Sequence, residues 1–295
     1  MGRIPRIARI LAAIALFVAA VGWNAIDTFA DRNPGPGRPD VALADVRDAG
    51  YYPAQAWLDG VNPYDPEAYR AAYDDVGQAF PLYSPLQILV HLPLTWFPPE
   101  GARVGFYWFS LALLAAQAAI TLRVAGRRST VAATIAFTGF LAATHSGRLS
   151  LVSGQTTPLL GIGVALALAG PLPVAATAGV VLALTKPTIG VPLVAVALAR
   201  GRVRPAIIGS AIAAIVSALM GVRLIDASGG LSEFLRGIGN DLDVTATIGS
   251  GRRVDAASLI ARTFGERNSI IEQSRRGEER SFTVFIQRHR IFKRV

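Results

Sequence analysis

Residues 104–122, VGFYWFSLALLAAQAAITL, decide the fold class. The only polar members of this stretch are Ser110, Gln117 and Thr121. At 1.5 Å of rise per residue, a helix of that length covers roughly 30 Å, the hydrocarbon thickness of a bilayer. Outward from it, further apolar blocks occupy 10–26, 130–144, 156–169, 171–185, 187–199 and 206–222. Several are short and rich in Ala, Gly and Val, which lets helices pack closely in lipid. Hydrophobic residues make up 52% of the 295, and the mean hydropathy is +0.42. They fall in blocks rather than at the spacing of a soluble core, which excludes an ordinary water-soluble domain. The expected fold is all-α, a polytopic transmembrane bundle of about seven spans.

The formal net charge is +9, yet the basic residues sit at the ends of the apolar blocks and in the carboxyl-terminal region. That pattern reports membrane topology, and no nucleic-acid partner is expected. The chain has no cysteine, so a disulfide framework and thiolate chemistry are excluded. Arg3, Arg6 and Arg9 precede the first block and place the amino terminus in the cytoplasm. A cleaved signal peptide is the rival reading, but Trp23 and Asp27 stand where small residues would mark cleavage, so the block is read as an uncleaved anchor.

Orientation hinges on residues 85–97, an apolar run interrupted by His91 and Pro93 and closed by Pro98-Pro99. It is short for a span and is read as re-entrant or interfacial. The clusters Arg123, Arg127, Arg128 and Arg200, Arg202, Arg204 then both face the cytoplasm. The opposite, outer face receives Asp45, Asp48, His145, Arg148, Gln155 and Lys186. Ionisable groups close to hydrocarbon are functional candidates. Lys186 stands out because Lys293 is the only other lysine in the chain.

The organisation expected is a cytoplasmic amino terminus and first helix at 1–30, an outer loop at 31–100, a transmembrane bundle at 101–225 and a polar basic region at 226–295. Within the loop, Asn33-Pro-Gly-Pro-Gly is a linker. Residues 46–58 suit a short amphipathic helix lying on the membrane and ended by Gly60. Residues 62–66 read as a turn, and 67–76 as a second short helix.

Several motifs in this order carry a family resemblance: Asp45-Val-Arg-Asp48-Ala-Gly-Tyr-Tyr-Pro-Ala, Asp59-Gly-Val-Asn62-Pro-Tyr-Asp65-Pro, Tyr83-Ser-Pro-Leu, Pro93-Leu, Ser153-Gly154-Gln155 and Leu184-Thr-Lys186-Pro187. Together they resemble glycosyltransferase family 87, the polyprenyl-phosphate-mannose-dependent mannosyltransferases of the GT-C superfamily. The family usually has Tyr-Pro-Pro where this chain has Tyr83-Ser84-Pro85. Its first-loop aspartate commonly stands four residues before a tyrosine, and neither Asp45 nor Asp48 has that spacing to Tyr51. Members typically continue with further helices, so the basic stretch 265–295 is read as a truncated or frame-shifted end, or else as a long outer domain exempt from the charge rule.

The resemblance implies a multi-pass plasma (inner) membrane enzyme acting at the outer face. It would move a sugar, mannose by family, from a polyprenyl-phosphate donor to a glycolipid or glycan acceptor. Such a donor has a good leaving group, so one general base suffices for inversion, with no cofactor and no metal. Asp45 and Asp48 are the candidate bases, and three-residue spacing would put both on one helix face. Lys186 and Arg148 are the candidates for the lipid phosphate, with Gln155 and His145 as further substrate contacts. His91 is read as buried and neutral. No P-loop, dinucleotide fingerprint or hydrolase motif occurs. A transporter or flippase of lipid-linked sugars is the alternative.

Overall fold

A computed structural model of the chain describes residues 5–30, 43–74, 76–77, 80 and 83–249. The linker at 33–37, the 252–262 segment and the basic stretch 265–295 lie outside the described residues. The chain divides into two compact units, Met1–Asp241 and Leu242–Val295, and the apolar helices belong to the first.

Every regular element among the described residues is helical. Helix α1 spans Arg6–Phe29, α6 Pro99–Val124 and α12 Val203–Ala227. These three are long and apolar enough to cross a membrane. Large side chains on them face outward, with Leu219 68% and Ile215 60% exposed, as suits a lipid-facing surface. The remaining blocks also form helices: α7 (Val131–Ala143), α9 (Thr157–Ala169), α10 (Pro173–Ala183) and α11 (Pro187–Ala199). These four are the short blocks among the seven. Each of these four has 11 to 13 residues, or about 20 Å at most. Pro173 and Pro187 start new helices where the hydropathy pattern runs on.

Small residues set the packing. At Gly179 on α10, a Cβ would fall 2.5 Å from the carbonyl oxygen of Gly163 on α9, so only glycine permits the contact. At the end of the bundle where α9 passes to α10, Arg202 donates to the carbonyl of Gly170. This joins the α9–α10 connection to the arginine cluster before α12.

The segment 85–97 is α5 (Pro85–His91) followed by a 3₁₀ turn over Leu92–Trp96. Seven residues of α-helix rise only about 10 Å, far short of a span. Upstream, α2 (Ala44–Val46) runs through a π-helical turn over Arg47–Tyr51 into α3 (Tyr52–Asp59). Gly60, at φ +75°, ends α3 in the left-handed conformation. One side of this stretch is packed inside the protein. Ala49, Ala54 and Ala56 pack with Tyr64, Tyr69, Phe80 and Ile88 against Met220 and Leu224 of α12. Burying aromatic and aliphatic surface inside the protein outweighs exposing it at an interface. Trp57 donates to the Met220 carbonyl, and the Arg223 guanidinium lies over the Trp57 ring.

Helix α4 (Pro66–Ala72) starts at Asp65, whose carboxylate accepts from the Glu67 and Ala68 backbone amides. It is shorter than the 67–76 expected. Helix α8 (His145–Val152) follows α7 after one residue, Thr144. Beyond α12, α13 (Leu231–Gly249) is a helix that hydropathy does not announce, because acidic and amide residues interrupt its apolar positions.

Candidate active site

Two pairs of chain segments distant in sequence are tied together at one end of the bundle. The Leu43 amide donates to the Val152 carbonyl at 2.6 Å, and the Asp45 amide to the Ser153 carbonyl at 2.8 Å. The Ser84 amide donates to the Thr185 carbonyl at 3.2 Å. Gly154 makes the first junction possible. It sits at φ +74°, and a Cβ there would fall 2.8 Å from Cβ of Val46. Both the left-handed backbone and the close approach require glycine at the centre of Ser153-Gly154-Gln155.

These ties shape a narrow polar cleft lined by Asp45, Tyr83, Gln87, Gln155, Thr157 and Lys186, among others. Asp45 enters from the first turn of α2. Gln155 follows Gly154 ahead of α9, and its Oε1 accepts from the Thr157 hydroxyl at 3.3 Å. Lys186 precedes Pro187 at the start of α11, with its backbone carbonyl accepting from Ile189 and Gly190. Its ammonium lies 5.1 Å from the centroid of the Tyr83 ring, a cation–π arrangement. No carboxylate among the described residues forms an ion pair with it.

Three expected site residues lie elsewhere. Asp48 is 1% exposed and holds Arg47 through bonds of 2.7 and 3.2 Å. Its carboxylate also accepts from the Gly77 amide, and its backbone carbonyl from the Tyr69 hydroxyl. Burial pushes the Tyr69 phenol well above its ordinary pKa. Asp48 stands in the π-helical turn that begins at Arg47 and is buried, whereas Asp45 on α2 is half-buried and borders the cleft. Arg148 is ion-paired with Asp27 near the end of α1. His145 is exposed at the start of α8. Neither lines the cleft.

Gln87 and His91 were not among the expected site residues, yet both border the cleft. Their spacing of four on α5 was the available signal, since it puts both on one face. His91 is 2% exposed, its Nδ1 is 2.8 Å from the Gln87 carbonyl, and its ring stacks on Phe106. Burial holds its pKa below the ordinary histidine value. Beyond His91 lies a second cavity of about 380 Å³, lined by Val90, Leu94, Phe97, Phe106, Phe109 and Leu159. His91 and Thr156 border both cavities. Among the described residues, no group of three His, Cys, Asp or Glu side chains could hold a metal ion.

Residues 81–266, well over half of the chain, match the model of glycosyltransferase family 87. The chain belongs to that family. It is a membrane glycosyltransferase, and the matched region includes Tyr83, Gln87, Gln155 and Lys186 of the cleft. Asp45 lies ahead of the family match and reaches the cleft through the bonds to 152–153. No curated protein and no solved structure matches the chain.

Proposed function

We propose that this family 87 enzyme transfers a sugar, mannose by family resemblance, from a polyprenyl-phosphate donor to a hydroxyl of a glycolipid or glycan. The observation that carries the reading is the shared wall of the two cavities. A lipid-linked sugar needs an apolar site next to a polar one, and His91 and Thr156 border both cavities. The apolar side would take isoprenoid units. The exposed Trp96 and Phe97 beside it suit the membrane–water boundary.

Lys186 takes the donor phosphate. Its ammonium is a compact charge held over an aromatic face, and among the described residues no carboxylate pairs with it for an arriving phosphate to displace. Gln155 contacts the donor beside it. The cleft is narrow, and the long side chains of Lys186 and Gln155 turn outward to admit the ring. Asp45 is the general base. It removes the acceptor hydroxyl's proton as oxygen attacks the anomeric carbon, and the polyprenyl phosphate leaves from the opposite face with inversion. Asp48 is unsuited to that role, since its oxygens are committed to Arg47 and Gly77. Arg148, held by Asp27, and the exposed His145 are left outside the donor site in this reading. Seven helices alternating between the faces, in a GT-C arrangement with the cleft outward, put both arginine clusters in the cytoplasm.

The test is sugar transfer and donor binding by Asp45→Asn and Lys186→Gln. Asp45→Asn keeps the shape of the side chain but loses the basic lone pair. Turnover should fall by about 10²–10⁴ with donor binding nearly intact. Lys186→Gln should weaken polyprenyl-phosphate binding by about tenfold, the scale of one lost charged contact. Transfer at the parental rate by Asp45→Asn would remove it as the base. A parental chain that translocates lipid-linked sugar without transferring it would replace the enzyme reading with the flippase.

A further inference from the structure

Apart from His91, Gln87 is the one polar side chain on α5, and it is 2% exposed. It borders the polar cleft together with Asp45, Gln155 and Lys186. Its Oε1 is buried and accepts no hydrogen bond among the described residues. A buried amide oxygen without a partner is costly, and proteins rarely retain one without a reason. Two other buried side-chain oxygens share this condition, Asn24 Oδ1 and Ser110 Oγ, but they lie on α1 and α6 and neither borders the cleft. Of these three among the described residues, Gln87 alone lines the polar cleft.

The backbone around it is firmly set. The Gln87 amide donates to the Ser84 carbonyl at 2.8 Å, and the Gln87 carbonyl is held by His91 Nδ1 at 2.8 Å. His91 in turn is wedged against Gly50, where a Cβ would fall 2.7 Å from the ring. The side chain is thus presented from a fixed helical turn, as a specificity contact requires.

We propose that Gln87 is a sugar-recognition residue, its amide oxygen accepting a hydrogen bond from a hydroxyl of the donor sugar. This rests on the lipid-donor reading. In that donor the sugar is bonded directly to the phosphate, so a phosphate at Lys186 brings the ring against the wall that Gln87 forms. An amide suits this task because it offers an acceptor and donors to neighbouring hydroxyls without a charge that would compete with the phosphate. A site built to bond a hydroxyl rejects a ligand lacking one, because its own polar group is then left unpaired.

The experiment compares binding of polyprenyl phosphate and polyprenyl-phospho-mannose to the detergent-purified full chain and to Gln87→Leu. A second variant, Gln87→Met, keeps an unbranched stem in case leucine packs poorly. The parental chain should prefer the mannose-bearing lipid by about tenfold, the size of a good hydrogen bond to a buried group. Both variants should lose that preference while holding bare polyprenyl phosphate as the parent does. Their thermal midpoints should be unchanged or higher, since an unpaired carbonyl has been removed from the interior. A preference undiminished in both variants overturns the assignment, as does a parental chain that binds both lipids equally. A parental chain that binds neither lipid overturns the lipid-donor reading, and the assignment falls with it.

Discussion

The polar cleft and the loop core beneath it are built from the same short stretch of chain, and they treat their polar groups in opposite ways. In the core, Asp48 is sealed between Arg47, the Gly77 amide and the region of the Tyr69 hydroxyl. Nearby, the Tyr73 hydroxyl donates to Asp59 at 2.7 Å, and burial together with that bond raises the Tyr73 pKa. In the cleft, Lys186 rests on an aromatic face and the Gln87 side-chain oxygen accepts no hydrogen bond among the described residues. Satisfied groups hold a structure rigid, whereas groups awaiting a partner suit binding. Asp45 and Asp48, three residues apart, belong to these two different regions.

The largest effect that could break this comparison is on stability. Asp48→Ala removes the carboxylate bonded to the Arg47 guanidinium, itself 12% exposed. Loss of one partner from a buried pair costs about 3–5 kcal/mol. Unfolding in mixed micelles should show that loss for Asp48→Ala and a smaller one for Asp45→Ala, since Asp45 is half-buried rather than sealed. Equal losses would mean that Asp45 is as structural as Asp48, and the contrast would dissolve.

Gly154 joins the two regions, since its backbone carries the cleft while its missing side chain makes room for Val46. Gly154→Ala imposes both a strained φ and a clash, and should cost about 1–3 kcal/mol. Gly201 supplies the control: its φ is +75°, but nothing lies within 4 Å of an added Cβ. Gly201→Ala should therefore cost only the backbone part, about 1 kcal/mol. Sugar transfer by Gly154→Ala should fall more than its stability loss explains, because Val46 stands next to Asp45. If the two alanine variants behave alike, the approach of Val46 has no bearing on the cleft.

Much of this architecture was legible in the sequence. Hydropathy located all seven apolar helices, and prolines at their first turns explain why three of the four short ones begin where they do. Orientation by charge assigns Asp45, Asp48, His145, Arg148, Gln155 and Lys186 to one face, and of these Asp45, Gln155 and Lys186 border the cleft. What could not be read were pairings across long sequence distances. Asp27 and Arg148 are 121 residues apart, and only packing of α1 against α8 brings them together. The π-helical turn at Arg47–Tyr51 was equally hidden, because ordinary helical spacing predicts one shared face for the two aspartates. Gln87 was overlooked because a single amide hardly changes the hydropathy of its segment.

His91 belongs to both regions, bordering the cleft while fully enclosed, and it gives the smallest and most easily titrated effect. Burial lowers its pKa in the folded chain, whereas in the unfolded chain it titrates near 6.5. Above about pH 7.5 both states are neutral at this site, and His91 makes stability no more or less sensitive to pH. As pH falls through about 6.5, the unfolded chain binds a proton that the folded chain refuses. Stability should then decline by up to about 1.4 kcal/mol per pH unit until the folded pKa is reached. Replacing the ring by one that cannot titrate but can still stack on Phe106, as in His91→Phe, removes this contribution. Thermal midpoints of the parent and His91→Phe measured from about pH 8 to about pH 5 should therefore diverge in slope below pH 7, the parent falling faster. Parallel curves across the whole range would mean that the folded chain protonates His91 as readily as water does, through access from the cleft, and the site would be wetter than its burial indicates.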